Sequence, residues 1–266
     1  MNEGDYKNIQ TRLISIKRRF LNMYNSVNAG HLGSSLSCAE ILTVTKFCWM
    51  KEADKMILSK GHAAACLYSV LAEDKQITDE EIATFYKNNT TLPAHPPVNK
   101  YPAIPFATGS LGHGLSIAAG FGFSSQLMES DRMTYCITSD GELNEGSTWE
   151  AALFISQHKL KNVIWIIDRN RLQGYGKTDE VMELEPLDDK LKSFGFDVFM
   201  VDGHNIKALA DLKERFDNTE RPLAIIANTI KGNGWKSMQN KLDCHYLPIG
   251  IEDYDLLHAH LSTDHS

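Results

Sequence analysis

Two apolar runs, MTYCITSDGELNEG (133–146) and NVIWIIDRNR (162–171), carry the reading of this chain. Each is a short β-prone run that ends in an acidic residue followed by a polar turn. Between them GSTWEAALFISQH (146–158) has helical composition. Strand candidates over Met133 to Thr138 and Val163 to Asp168 therefore flank a helix over Gly146 to His158. The alternation continues: a helix from Leu187 to Phe194 stopped by Gly195, a strand from Phe196 to Val201, a helix from Ile206 to Phe216 and a strand from Leu223 to Asn228. Such alternation predicts an α/β fold, a doubly wound, mostly parallel sheet with helices on both faces. Sheets of this kind bind ligands beyond the carboxyl ends of their strands, so the loops after Thr138, Asp168, Val201 and Asn228 are the informative ones.

The amino-terminal third reads as helical. Ile9, Leu13, Ile16, Phe20 and Val27 recur at helical spacing from Asp5 to Val27, and Asn28-Ala29-Gly30 is expected to end that helix with Gly30 at positive φ. Ser37 with Glu40 reads as a capping box opening a helix that runs to about Met50. Thr78 with Glu81 reads as a second one. Asn88 to Pro105, rich in Pro, Asn and Thr, is a long irregular loop of the kind that often carries function. The domain plan is one unit over 1–250 and a C-terminal helix with a frayed polar tail over 251–266. No internal repeat or linker interrupts it.

The whole is 266 residues, 42% hydrophobic and 23% charged, as expected for an ordinary globular chain. Twenty-seven Lys and Arg against 34 Asp and Glu leave a net charge of −7, which argues against nucleic acid or an anionic membrane as partner. No apolar run approaches a membrane span, and MNEGDYKNIQ has no signal core. Five scattered cysteines without a C-x-x-C fit reduced thiols and a cytoplasmic location.

The chemistry concentrates at the two strand ends. Asp140-Gly141 follows the first strand, and Asp168-Arg169-Asn170 closes the second. On neighbouring strands, Asp140 and Asn170 would converge. A carboxylate, an amide oxygen and backbone carbonyls make a hard, all-oxygen site suited to Mg²⁺ or Ca²⁺, while Gly141 lets an anion approach the backbone. An Asp-Gly pair alone is ordinary turn chemistry; its pairing with a second strand end is far more specific.

Asp-Gly followed about thirty residues on by a strand-terminal Asn resembles the thiamine-diphosphate motif. More closely, SDGELNEGSTWEAA (139–152) resembles a segment of transketolases. So do AGHLGSSLSCAEIL (29–42), LSKGHAAACLY (58–68), TGSLGHGLS (108–116), TDEVMELEPL (178–187), VDGH (201–204) and KGNG (231–234), in family order. The resemblance is to the N-terminal, diphosphate-binding (PP-type) half and implies transfer of a two-carbon ketol unit from a ketose to an aldehyde. It implies thiamine diphosphate with Mg²⁺, for which Ca²⁺ or Mn²⁺ could substitute. The pyrimidine-binding and third domains of full-length relatives are not matched. The chain thus resembles the smaller subunit of a split transketolase, expected to work as a heterotetramer, two copies of each chain, on sugar or sugar-phosphate substrates.

By the same resemblance, Asp140, Asn170 and the carbonyl of Leu172 would hold the metal, and Gly141 would donate to the diphosphate. Ser34, Lys60, His62 and Lys231 would surround the phosphates, and Gly109, Ser110 and Leu111 would lie against the cofactor rings. His31, His95 and His245 would face the reacting carbon and sugar hydroxyls, with His245 also touching cofactor; Glu145 would join a carboxylate network at the subunit junction. Ser139, Tyr246 and the stretch from Thr91 to Pro105 depart from the family pattern, which hints at a specialised sugar pathway. His204 reads as structural, His113 as a site-tuning or space-filling residue, and His258, His260 and His265 as a solvated tail rather than a metal cluster. Two alternatives share the metal motif: the α chain of a 2-oxo acid dehydrogenase or a 1-deoxyxylulose-phosphate synthase-like enzyme. The histidine set favours sugar transfer over both. A non-catalytic scaffold would be expected to have lost the metal pair.

Overall fold

The computed structural model describes residues 1–98, 100–216 and 218–263. Its centre is a five-stranded parallel sheet in the order β1-β2-β3-β7-β6. The strands are β1 (Lys55–Leu58), β2 (Thr134–Ser139), β3 (Val163–Arg169), β6 (Asp197–Asp202) and β7 (Leu223–Asn228). A small antiparallel hairpin, β4 (Leu172–Gln173) with β5 (Gly176–Lys177), follows β3. Met56-Ile57-Leu58, in sequence only a brief apolar run, lies in β1, one of the two edge strands. The three central strands are almost wholly buried because helices cover both sheet faces, which is why β3 and β7 read as nearly continuous apolar runs rather than alternating ones.

The helices are α1 (Glu3–Val27), α2 (Leu32–Val44), α3 (Ala64–Glu73), α4 (Asp79–Ile82), α5 (Gly114–Leu127), α6 (Gly146–Gln157), α7 (Thr178–Val181), α8 (Leu187–Ser193), α9 (Ile206–Asp211), α10 (Lys213–Phe216), α11 (Asp243–Tyr246) and α12 (Ile251–Thr263). Two apolar cores result. One gathers Phe20, Leu36, Ile41, Tyr68, Ile137 and Ile166 under α1, α2 and α3. The other gathers Leu115, Ala152, Ile155, Trp165 and Leu191 under α5, α6 and α8. Each fully buried aliphatic side chain contributes roughly 1.5–3 kcal/mol.

Several local expectations are corrected. Asn28, not Gly30, takes the left-handed cap of α1, with φ 51°. Helix α2 begins at Leu32 rather than at Ser37, and all of it is buried. Ser37 sits inside the helix, where its hydroxyl donates to the Ser34 carbonyl at 3.0 Å and to Asp168 at 2.6 Å. Glu40 turns away from the helix start to Lys17 at 2.6 Å and the His204 ring at 3.1 Å. Tertiary partners have overridden a capping signal. The helix expected from Ile206 to Phe216 breaks at Leu212 into α9 and α10. The Thr78–Glu81 capping box is present in both its hydrogen bonds. Gly195, at φ 94°, stops α8 as expected. Helix α12 packs on α1 through Leu257 and Leu261 and runs to Thr263; the tail beyond, including His265, lies outside the described residues. Among the described residues no helix is long and apolar enough to cross a membrane.

Candidate active site

Strands β2 and β3 pair in register, Ser139 opposite Asp168, so the loops that follow them start side by side. Asp140 caps a 3₁₀ turn over Gly141–Asn144, and its Oδ1 accepts the Gly141 N–H at 2.8 Å. Its Oδ2 accepts the N–H of Arg171, across the gap in the neighbouring loop. Asn170 Oδ1 accepts the Leu172 N–H at 3.1 Å, and the Leu172 carbonyl accepts from Lys231 Nζ at 2.9 Å. Asp140, Asn170 and Leu172 are all buried. The oxygens named for a metal thus come from two loops physically tied to each other. The set of one carboxylate, one amide and one carbonyl suits a hard divalent cation. No described cluster of three His, Cys, Asp or Glu competes with it. A side chain at Gly141 would meet Gln173 Cβ at 2.7 Å, so the approach there requires glycine.

The electrostatics point the same way. Burial, with the nearby Asp168 charge, pushes the Asp140 carboxyl up to about 6. Burial, then the Lys60 charge, brings Lys231 down to about 8. An acid and an amine both held away from their ordinary charged range mark a pocket that gains when a cation and an anion enter together.

Around this floor stand four imidazoles from four separate segments. His31 lies 5.7 Å from His62, 6.3 Å from His95 and 5.2 Å from His245, ring centre to ring centre, and His62 lies 5.3 Å from His245. His31 adopts φ 74° ahead of α2 and donates its N–H to the His245 carbonyl at 3.1 Å. The wedge 244–246 fits only because its neighbours lack side chains. A Cβ at Gly30 would lie 2.1 Å from the Tyr246 carbonyl oxygen, and one at Gly33 2.5 Å from Cys244 Sγ. Tyr246 then donates to the Gly174 carbonyl at 2.6 Å, tying the histidine turn to the β4–β5 hairpin.

Burial lowers the pKa of all four rings: His245 to about 3, His62 well below its ordinary value, His31 and His95 below theirs. They stand neutral near pH 7 and can each donate and accept a proton. Protonation favours the unfolded chain, so stability should fall as pH drops below about 6.5. We expect His62→Gln to flatten this acid limb in urea titrations; an unchanged limb would show that His62 titrates normally.

Several buried polar atoms here have no partner: Ser34 Oγ, Thr108 Oγ1, Asn144 Nδ2 and His245 Nδ1. Such groups are uncommon in folded chains, and together they describe a lining that fits a polar ligand. Gly109, at φ 146°, lies flat against the His95 ring, with Ser110 exposed and Leu111 half-buried behind it.

Other expected residues sit differently. Lys60 is buried beneath the site and salt-bridged to Asp168, with further donation to the Ser34 carbonyl and Ser37 Oγ, both at 3.2 Å. Burial alone would depress it, but the Asp168 charge dominates and holds it above its usual value. Its donors are committed, so it braces the floor instead of facing a ligand. Glu145 stands exposed at the start of α6. The carboxylate that knits the loops is Glu142, unremarked in the sequence because it lies inside the motif. It accepts from Ser59 Oγ and from the Gly112 N–H at 2.9 Å. Asp168 was also missed. It holds Lys60, Ser37 and Thr229, and takes Asn170 Nδ2 at 3.4 Å, which turns Asn170 Oδ1 away. His113 is exposed, bonded at 3.1 Å to the Leu111 carbonyl. His204 is structural, joining Glu40 to the Ile230 N–H. His258 stacks near Tyr254 on α12.

Comparison with known proteins gives the family of the chain. The family model described as "Transketolase, thiamine diphosphate binding domain" matches residues 9–266. A subunit of the apulose-4-phosphate transketolase of Actinobacillus succinogenes is 37% identical over 258 residues, covering 93% of this chain and 94% of that one. The 6-deoxy-6-sulfo-D-fructose transketolase subunit SqwG of a Clostridium species is 34% identical, covering 94% of each. Human transketolase is 35% identical over 84% of this chain but only 37% of its own length. The crystal structure of Campylobacter jejuni transketolase superposes with a TM-score of 0.89 at 26% identity, covering 98% of this chain and 43% of that one. The chain therefore spans less than half the length of the solved transketolases it matches, and by these findings it belongs to the family of transketolase thiamine diphosphate-binding domains.

Proposed function

We propose that this chain is the diphosphate-binding subunit of a two-chain transketolase, which moves a two-carbon ketol unit from a ketose to an aldehyde acceptor with thiamine diphosphate and Mg²⁺. The observation that carries the reading is the joining of Asp140 to the Asn170–Leu172 loop through the Arg171 N–H, at the ends of adjacent parallel strands. When bound, thiamine diphosphate would supply the electron sink for cleaving and forming carbon–carbon bonds. The protein's own contribution is positional and protonic. Asp140, Asn170 and the Leu172 carbonyl would hold the divalent ion, and Lys231, Ser34 and His62 would meet the phosphates. The neutral His31, His95 and His245 would orient sugar hydroxyls and carry protons to and from them. Gly109, Ser110 and Leu111 would lie along the cofactor rings. Glu145, exposed, is available to a junction between subunits.

The need for a second chain is supported by the relatives that match end to end and are named as subunits. A heterotetramer and a cytoplasmic location follow by analogy with the family. The test is reconstitution. Co-purified with a companion chain that carries a pyrimidine-binding domain, the protein should retain thiamine diphosphate only when Mg²⁺ is supplied, and should then transfer a ketol unit. Each chain alone should be inactive. Failure of the pair to retain the cofactor, or oxidative decarboxylation of a 2-oxo acid without ketol transfer, would overturn the reading.

A further inference from the structure

His95 differs from the other three histidines of the cluster. It lies in the irregular segment after α4, it is the most exposed of the four although its ring is partly covered, and its neighbours Pro93, Pro96 and Pro97 carry no backbone N–H. A stretch so poor in donors can be held mainly through its carbonyls. Two of those carbonyls are met by one side chain. Tyr68, on α3 and wholly buried, points its hydroxyl at the Pro93 carbonyl at 2.9 Å and the His95 carbonyl at 3.0 Å. Burial keeps the phenol protonated, so it remains a donor at any physiological pH. Its ring is fixed against Phe85 at 6.2 Å. Upstream, Thr91 shares a 3.0 Å hydrogen bond with Tyr101, and the Tyr101 hydroxyl donates to Glu81 at 2.9 Å. Leu92, between the two ties, is buried.

We propose that Tyr68 is a positioning residue for His95. The helix that bears Tyr68 begins immediately after the turn that bears His62. One rigid element therefore sets the placement of two members of the cluster, His62 through the chain and His95 through the phenol. Gly109 closes the other side: a Cβ there would stand 3.0 Å from the His95 ring. The imidazole lies against the Gly109 backbone while its own carbonyl is held by the phenol, and among the described residues no hydrogen bond reaches the ring itself.

Tyr68→Phe removes one oxygen and keeps the ring. The kinetic part of the proposal rests on the ketol-transfer reading, so the experiment has two arms. In the first, the chain alone is labelled at histidine and the ring Cε1–H resonances are followed by NMR, with His95→Ala supplying the assignment. Tyr68→Phe should move the His95 resonance toward that of free histidine and leave those of His31 and His62 in place. An unmoved His95 resonance overturns the proposal whatever the enzyme does. In the second, kcat and KM are measured in the reconstituted complex for wild type, Tyr68→Phe, His95→Ala and the double variant. Tyr68→Phe should lower kcat about tenfold in the wild-type background and less than about twofold once His95 is gone. An equal loss in both backgrounds would mean the phenol only stabilises the fold and would also overturn the proposal. A wild-type complex without ketol transfer removes the functional reading, and the first arm then decides alone.

Discussion

Asp140→Asn should raise the melting temperature of the metal-free chain while weakening the hold of the reconstituted complex on thiamine diphosphate about a thousandfold. Burial and the Asp168 charge hold the Asp140 carboxyl at about 6, above the ordinary 3.8. A group with a raised folded-state pKa stabilises the fold below its unfolded value, and that contribution disappears as pH rises through the folded value. At neutral pH the ionised Asp140 therefore costs the metal-free fold on the order of 2–3 kcal/mol. The amide removes that cost but forfeits one of the two N–H bonds from Gly141 and Arg171, about 1 kcal/mol. The net gain is roughly 1–2 kcal/mol, several degrees in a thermal scan without metal. In the reconstituted complex the same change would remove a charge beside the ion of the proposed site. At an effective dielectric of 20 this is about 4 kcal/mol for each unit of charge 4 Å away, roughly a thousandfold in affinity by calorimetry. Stability up with binding lost identifies a residue retained for a ligand. A lower melting temperature with unchanged cofactor affinity would refute both halves.

Lys60→Met should produce the largest loss of stability among the site residues, about 3–5 kcal/mol, because it leaves Asp168 buried without its counterion. The urea midpoint at pH 7 reports it. The pH dependence separates this cause from simple mispacking. In wild type, burial works against the Asp168 carboxylate, but Lys60 and its hydrogen bonds outweigh it and hold the pKa below the ordinary range. That contribution is lost as pH falls through the depressed value. In Lys60→Met the carboxylate prefers to be protonated in the folded state, so the deficit should shrink on acidification. A deficit independent of pH would point to lost packing instead. Asn170 leans on Asp168 through its amide, so cofactor affinity should fall as well.

The elements legible in the sequence were those determined by neighbours in the chain. Leu223–Asn228 and Gly146–Gln157 declare themselves by composition and length, and Thr78 with Glu81 forms its capping box from residues three apart. What stayed hidden depends on distant partners. Glu40 has the spacing of a cap, and its partners Lys17 and His204 are invisible in a local window. The resemblance implies a phosphate contact for Lys60, and nothing local in the sequence signals that Asp168, 108 residues away, claims it. The motif places Asp140 and Asn170 at two strand ends, and the register of β2 with β3 brings those ends together. Glu142 accepts mainly from backbone N–H groups and Tyr68 donates to backbone carbonyls, and a backbone partner leaves no signature in residue type.

The amine of Lys231 rests on the Leu172 carbonyl, the same oxygen assigned to the metal in the proposed function. On the proposed reading, a divalent ion held there would take the place of an ammonium already seated, and the side chain so released would be free to meet a diphosphate. One lysine would then be understudy for the cation in the resting protein and clamp for the anion in the loaded one, so that the cradle need not stand electrically bare while it waits to be loaded.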